Sequence, residues 1–148
     1  MKFYRFTETT NPMSNWGHAM FAKDAQSVEN YGQYCWTIDK KECVTLKSIK
    51  SLIIKAWKYD VKNGFSGDFA GNTTSDDYYY NLSAEDLYNS FNPSDIVDCA
   101  DGYDSETSQW LYERVIEPNN IKAVYFTQGA VVYNNDDNII KSEKYDVE

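Results

Sequence analysis

Three aspartates at three-residue intervals, Asp98, Asp101 and Asp104, form one group of candidate acid–base residues. They could place a carboxylate at a cleft or bind a cation. Their spacing lacks the full pattern of a Ca²⁺ loop, so a metal site is only weakly indicated. Asp104 comes just before a predicted helix and is our candidate catalytic carboxylate. The other candidate, Glu113, lies on a polar stripe of that helix, which is typical of a solvated face.

Other side chains that support catalysis or metal binding are few. His18 is the only histidine and has no evident partner in the sequence, so no Ser-His-Asp or Cys-His constellation is indicated, and we interpret His18 as a strand residue. The three cysteines, Cys35, Cys43 and Cys99, are odd in number and form no C-x-x-C pair. A disulfide framework or a zinc site is therefore not expected. The segment GDFAGN lacks the G-K-[ST] signature of a phosphate loop.

Arg5 lies in the middle of an aromatic segment, KFYRFT, near the start of the chain. The alternation of this segment predicts a half-buried strand with Tyr4 and Phe6 on one face and Arg5 and Thr7 on the other. One interpretation of Arg5 is a surface ion pair across the sheet. The other is anion binding, because a guanidinium matches the geometry of phosphate in a bidentate way.

The charge of the chain limits the partners that it can have. Its 148 residues include 14 Lys and Arg against 23 Asp and Glu, a formal net charge of -9. Direct nucleic-acid binding is therefore not expected unless the cations gather on one face. A lysine run, Lys47, Lys50, Lys55 and Lys58, is interpreted as a solvated helix face. Neither a signal peptide nor a membrane span is visible, so we expect a cytoplasmic protein.

Short strands and turns are predicted for the first quarter of the chain. A second strand is expected at His18–Ala22, after a loop over residues 8–16. Asp24 is expected to cap a short helix whose apolar side includes Val28 and Tyr31 and which ends at Gly32. The segment YCWTI is the third predicted strand.

Helices are predicted for the middle of the chain. The first starts at Ser48 and carries apolar residues at helical spacing, namely Ile49, Leu52, Ile53, Ala56 and Trp57. Residues 60–82 are predicted to form a long loop. Ser83 with Asp86 resembles a capping box, a short helix is expected over 96–100, and Ser105 is expected to start a helix that stops at Pro118.

The chain is predicted to close with a β-hairpin, IKAVYF and AVVYN, joined by a three-residue connection, TQG. The strands come in groups rather than in regular βαβ alternation, which favours an α+β fold. At this length, residues 1–148 are expected to form a single domain.

The segments FYRFT and GHAMFAKDAQSVENYG resemble the opening of ADP-ribosyltransferase-like domains. The resemblance implies a split antiparallel sheet flanked by helices and an NAD cofactor. It further implies that Arg5 anchors the ribose or phosphates, with Thr7 as a neighbouring hydrogen-bonding group. Phe21 and Tyr31 would form the walls of the nicotinamide pocket, where aromatic faces suit a planar cationic ring.

The segment IKAVYFTQGAVVYNNDDNIIKS is similar to the closing strands of the same domains. In that family the residue just before the last strand is usually Glu or Asp, and Gln128 stands at the matching position. An amide can orient the ribose but supplies no negative charge to stabilise an oxocarbenium ion. The resemblance therefore implies Gln128, or Asp104, as the residue that holds the ribose hydroxyls.

Two functions follow as hypotheses. The first is an effector, of the toxin or phage type, that transfers ADP-ribose to a protein or nucleic acid. The second is a non-catalytic acidic protein that blocks a basic, nucleic-acid-binding partner by imitating phosphates, with Asp76, Asp77 and the acidic tail after Lys144 as its contact groups. A partner or acceptor protein is expected in either case.

Overall fold

The sheet is built from short strands, and two of its interior strands, His18–Ala22 and Gly129–Tyr133, are buried on both faces. Six strands are described: β1 (Lys2–Thr7), β2 (His18–Ala22), β3 (Tyr34–Asp39), β4 (Ala123–Phe126), β5 (Gly129–Tyr133) and β6 (Ile140–Ser142). Their order is β4-β5-β2-β1-β3-β6, and every neighbouring pair is antiparallel. The described strands therefore form one continuous sheet. The α+β class is confirmed, whereas the split sheet is not observed among these residues.

The computed structural model describes residues 1–14, 17–39, 44–65, 82–91, 106–133 and 139–142. Several predictions fall outside these ranges. They concern most of the 60–82 loop, the short helix over 96–100, the cap at Ser105, the three spaced aspartates with Asp104, and the acidic groups Asp76, Asp77 and the tail after Lys144.

Three described α-helices pack on one face of the sheet, and the third continues into a π-helical turn. They are α1 (Lys50–Asn63), α2 (Ala84–Ser90) and α3 (Glu106–Leu111), and the π-helical turn is Tyr112–Ile116. The apolar spacing predicted for α1 is confirmed for Ile49, Ile53 and Trp57, which are buried, but not for Leu52, which is 37% exposed. The cap on α2 is also confirmed, because the Ser83 hydroxyl accepts from the Asp86 N–H at 3.1 Å.

The opposite face of the sheet curls around a second apolar core that includes Phe3, Phe21, Trp36 and Tyr125. The rings of Phe3 and Tyr125 have centroids 5.5 Å apart, although β2 and β5 separate their strands. In a flat sheet three strand spacings amount to about 14 Å. The sheet is therefore strongly curved, and this face is its concave side.

Several local predictions are wrong. The short helix after Asp24 is instead two 3₁₀ turns, Ala25–Ser27 and Glu29–Tyr31, since these few residues cannot sustain a longer helical ladder. Gly32 does not act as a left-handed helix end, because its backbone is extended; a Cβ there would lie 2.0 Å from the Thr7 carbonyl carbon. The glycine is needed for this close approach.

Two boundaries and one strand also differ from the prediction. α1 continues through the first residues of the predicted loop and ends at Gly64, whose φ is +93°. Phe126 pairs directly with Gly129, so the closing hairpin has a two-residue turn rather than a three-residue one. β6, which pairs with β3, was not predicted.

Candidate anion-binding site

Arg5 lies on the concave face, as the alternation predicts, but its guanidinium is engaged by the backbone. Its Nε donates to the Pro12 carbonyl at 2.7 Å, and its Nη1 donates to the Met20 carbonyl at 3.3 Å. These bonds hold the loop after β1 against the sheet. To act as the NAD anchor that the resemblance implies, Arg5 would have to exchange them for contacts with phosphate.

Thr7 also has structural partners. Its hydroxyl accepts from the indole Nε1 of Trp36 at 2.8 Å and donates to the Thr9 carbonyl at 2.7 Å. The hydroxyl thus connects β1 to β3 and starts the loop that Arg5 secures. Its role beside a ribose stays a prediction.

The two proposed walls of the nicotinamide pocket lie in different surroundings. Phe21 is fully buried in the concave core. Tyr31, by contrast, is 69% exposed at the end of the second 3₁₀ turn. The structure therefore brings Arg5, Thr7 and Phe21 to one face of the sheet, while Tyr31 belongs to none of the described core clusters.

Gln128 lies in the exposed turn of the β4–β5 hairpin. Its backbone carbonyl accepts from the Lys23 N–H at 2.9 Å. This bond joins the end of β2 to the hairpin, next to an open cavity. Asp104, the other candidate for the ribose hydroxyls, lies outside the described residues.

The open cavity has a volume of about 470 Å³ and lies where β1, β2, β4 and the segment before α1 meet. Its apolar lining comes from Phe3, Leu46, Tyr125 and Phe126. Its polar side chains are Lys23, Lys47, Thr45 and Thr127. Among the described residues that line it, none is a carboxylate, histidine or cysteine. These side chains are suited to binding an anion that has an apolar or planar part.

Local hydrogen bonds hold the cavity walls in place. The Thr45 N–H donates to the Ser48 hydroxyl at 2.8 Å, and the Ser48 N–H donates to the Thr45 hydroxyl at 3.1 Å. This reciprocal pair resembles a capping box and leads into α1. The segment is also joined to β4, because the Tyr125 N–H donates to the Val44 carbonyl at 2.7 Å. Lys47 is therefore held at the cavity by both α1 and the sheet.

Lys23 and Lys47 are the cationic side chains among the described residues that line the cavity. Neither forms an ion pair within the described part of the chain. The N-terminal ammonium of Met1, which also lines the cavity, pairs with Asp39 at 3.3 Å. Two lysines without carboxylate partners beside apolar surface favour an anionic ligand, because the charge of the ligand can be shared between them.

Sequence reasoning missed both cavity lysines as binding residues. Lys47 belonged to the lysine run that was interpreted as a solvated helix face, and Lys23 carried no local signal. The available signal for Lys47 was its position before the predicted helix start at Ser48. In the structure Lys47 precedes α1 and lines the cavity together with Tyr125 and Phe126 of β4.

A buried charged network connects α1 to the last helical segment. The Asp60 carboxylate is 1% exposed. It accepts from Trp110 Nε1 at 2.9 Å and from Arg114 Nε and Nη2 at 3.0 and 2.9 Å. Because the hydrogen bonds that Arg114 donates to Asp60 favour the charged guanidinium, the pKa of Arg114 is raised. Each of these donors ties the last helical segment to α1, so the network has a structural role.

His18 lies in β2, as predicted, and is buried between two tyrosine rings. Its ring centroid is 4.5 Å from that of Tyr112 and 5.2 Å from that of Tyr133, both in edge-on contact. Tyr112 begins the π-helical turn. The cluster therefore packs that turn onto the sheet.

Comparisons with protein families, curated proteins and solved structures gave no match. In the ranges that the structure describes, no group of three or more His, Cys, Asp or Glu residues is arranged to hold a metal ion. The same ranges contain no helix that is long and apolar enough to cross a membrane.

Proposed function

We propose that this protein binds a nucleotide-type anion, with NAD as the first ligand to test, in the cavity flanked by Lys23 and Lys47. One observation carries the proposal. In a chain of net charge -9, Lys23 and Lys47, which have no carboxylate partner among the described residues, flank apolar and aromatic surface in an open cavity of about 470 Å³. Small-molecule sites usually measure about 300 to 1,000 Å³ and combine apolar lining with a few polar groups.

The contents of the cavity match the parts of a nucleotide. Lys23 and Lys47 supply point charges for phosphate groups, and the hydroxyls of Thr45 and Thr127 can hydrogen-bond sugar or phosphate oxygens. Tyr125 contributes an aromatic ring to the lining. A ligand that carries both a charge and a planar ring uses all of these groups at once.

This proposal keeps the cofactor that the sequence resemblance implies but moves its anchor. Arg5 already donates to two backbone carbonyls, whereas the two lysines have no ion-pair partner among the described residues. Transfer of ADP-ribose stays a hypothesis. The described lining supplies binding groups, and Gln128 lies in the turn beside Thr127.

Titration calorimetry with NAD and ADP tests the proposal. We expect Lys23→Gln and Lys47→Gln each to weaken binding by roughly tenfold, which corresponds to about 1.4 kcal/mol for a lost charge-assisted contact. Lys62→Gln is the matched control, because it removes an exposed lysine from the last turn of α1. No binding of either nucleotide, or equal losses in all three variants, would contradict the proposed site.

Arg5→Met separates the two anchors. If the lysines bind the phosphates, nucleotide affinity should persist in Arg5→Met as long as circular dichroism shows an intact fold. Loss of affinity in Arg5→Met with no change in the lysine variants would show that Arg5, and not the lysines, binds the phosphates. Release of nicotinamide from NAD, with and without a cell extract as acceptor source, then tests transfer.

The acidic-inhibitor hypothesis makes the opposite prediction. It expects no nucleotide binding, and it expects inhibition of a basic partner that weakens when Asp76 and Asp77 are neutralised or when salt is added. Nucleotide binding that depends on Lys23 and Lys47 would favour the nucleotide-binding proposal over the inhibitor hypothesis.

A further inference from the structure

The outer face of α1 combines a basic ridge with an apolar one. Lys55, Lys58 and Lys62 are exposed and follow one another at helical spacing. Next to them lie Leu52, which is 37% exposed, and Tyr59, which is 60% exposed. We call these five residues the α1 outer face.

The segment that contains this face has a net positive charge, opposite in sign to the rest of the chain. Residues 44–63 contain five lysines and one acidic residue, Asp60, whereas the remaining residues contain nine cationic and 22 acidic side chains. Asp60 is buried and paired with Arg114, so it does not neutralise the outer face. More than a third of the Lys and Arg residues are thus gathered on and just before one helix.

The lysines of the α1 outer face are not neutralised within the described ranges. No carboxylate there lies within ion-pair distance of Lys55, Lys58 or Lys62. Lys50, on another side of the same helix, shows the contrast, because it pairs with Glu85 of α2 at 3.4 Å. Within the described ranges, the helix therefore pairs one lysine with α2 and leaves the three lysines of its outer face without a carboxylate partner.

We infer that the α1 outer face docks an acidic amphipathic helix of a partner protein. The lysines complement Glu or Asp on that helix, and Leu52 and Tyr59 complement its apolar side. Exposed aromatic and apolar anchors beside a charged rim are typical of protein interfaces. The face runs from Leu52 to Lys62, ten residue steps along α1, so it is about 15 Å long and matches a partner helix of similar length.

The same observations disfavour a nucleic acid on this face. A phosphate backbone has no apolar complement for Leu52. A long polyanion would also meet the acidic remainder of the chain, which would repel it. A short helix that contacts α1 alone avoids most of this repulsion, since distant charges are screened at physiological salt.

The probe for the test is a fluorescein-labelled synthetic peptide of about 20 residues, helical by design, with leucines on one face and glutamates beside them. Fluorescence anisotropy measures its binding. Lys55→Gln/Lys62→Gln should weaken binding by about tenfold, as expected for two partly exposed ion pairs. Lys2→Gln/Lys122→Gln is the matched control, because it removes two exposed lysines outside α1.

The apolar ridge is tested by Tyr59→Ser, which should weaken binding several-fold at unchanged net charge. Added sodium chloride should weaken binding of the wild-type protein. Absence of peptide binding, or an equal loss in the control variant, would overturn the inference. Tighter binding of a single-stranded oligothymidine, lost in the same Lys55/Lys62 variant, would overturn it in favour of a nucleic acid.

Discussion

Replacing Asp60 by asparagine should destabilise the protein by about 2 to 3 kcal/mol while leaving its shape intact. The carboxylate accepts three hydrogen bonds, one from Trp110 and two from Arg114, and is 1% exposed. Asparagine has the same outline, but one of its two polar atoms is a donor. A donor of Trp110 or Arg114 would then face an N–H group, and Arg114 would lose its counter-charge.

The magnitude follows from the burial of the partners. Breaking a buried ion pair by removing one member costs about 3 to 5 kcal/mol, and a single hydrogen bond to a charged group contributes about 1.5 to 3 kcal/mol. The Arg114 side chain is 30% exposed, so it can regain water, which places the expected loss near the lower limit of the ion-pair range. For a chain of this length the midpoint temperature should fall by roughly 6 to 9 °C.

The pH dependence of this loss can also be worked out. Hydrogen bonding to the Asp60 carboxylate raises the pKa of Arg114 above its usual value. A raised pKa in the folded state contributes stability that is fully present below the pKa of the unfolded chain and disappears only as the pH rises through the folded value. Because both lie at strongly alkaline pH, the difference between wild type and Asp60→Asn should be constant from about pH 6 to 9.

Urea unfolding followed by tryptophan fluorescence and circular dichroism measures the loss. A double-mutant cycle with Arg114→Gln isolates the pairwise contribution, which should be about 1.5 kcal/mol or more. A loss below about 0.5 kcal/mol, or additive effects of the two substitutions, would show that the network does not join α1 to the last helical segment in the way described.

Three further predictions concern single contacts. Gly129→Ala should reduce the free energy of unfolding by about 3 kcal/mol, because the new Cβ would lie 2.1 Å from the Phe21 carbonyl oxygen. Thermal unfolding should show this as a lower midpoint temperature. Ser83→Ala should cost about 1 kcal/mol in urea unfolding, because the α2 cap is lost. Burial raises the pKa of the Cys35 thiol to about 11, so iodoacetamide at pH 8 should leave Cys35 unmodified by peptide mass spectrometry and should react faster as the pH rises.

The elements with a strong periodic signal could be predicted from the sequence. β1, β2 and β3 show alternation or a compact apolar run, and α1 carries its apolar residues at helical spacing, so packing and pattern agree. The 3₁₀ turns and β6 could not be predicted with the same success. They are only three residues long, and a window of that length contains too few residues to show a period.

The burial of Asp60 shows a second limit of pattern reasoning. Asp60 continues the buried stripe of Ile53 and Trp57 along α1, yet an acidic residue at the start of a glycine-rich and asparagine-rich segment predicts the start of a loop. Its place in the helix depends on Trp110 and Arg114, about 50 residues later in the chain. Local pattern carries no information about such partners.

The candidate site could not be predicted from the sequence for a related reason. Alternation correctly placed Arg5 and Thr7 on one face, but it could not show that backbone carbonyls already engage the guanidinium. The cavity combines side chains from β1, the end of β2, the segment before α1, and β4. No spacing within one segment indicates that Lys23 and Lys47 meet there, because the curvature of the sheet and the position of α1 bring them together.

The position of α1 is fixed separately at its two ends, and this allows the cavity to be tested apart from the fold. Thr45 and Ser48 hold the start of the helix beside β4, whereas Asp60 holds its last turn.

Ser48→Ala removes the acceptor of the Thr45 N–H without changing a cavity side chain, so the position of Lys47 should loosen and NAD affinity should fall several-fold. Asp60→Asn should leave the affinity of the folded protein unchanged, since its contacts are at the far end of α1. Calorimetry on both variants checks this, and equal losses would mean that the cavity depends on global stability rather than on the local placement of Lys47.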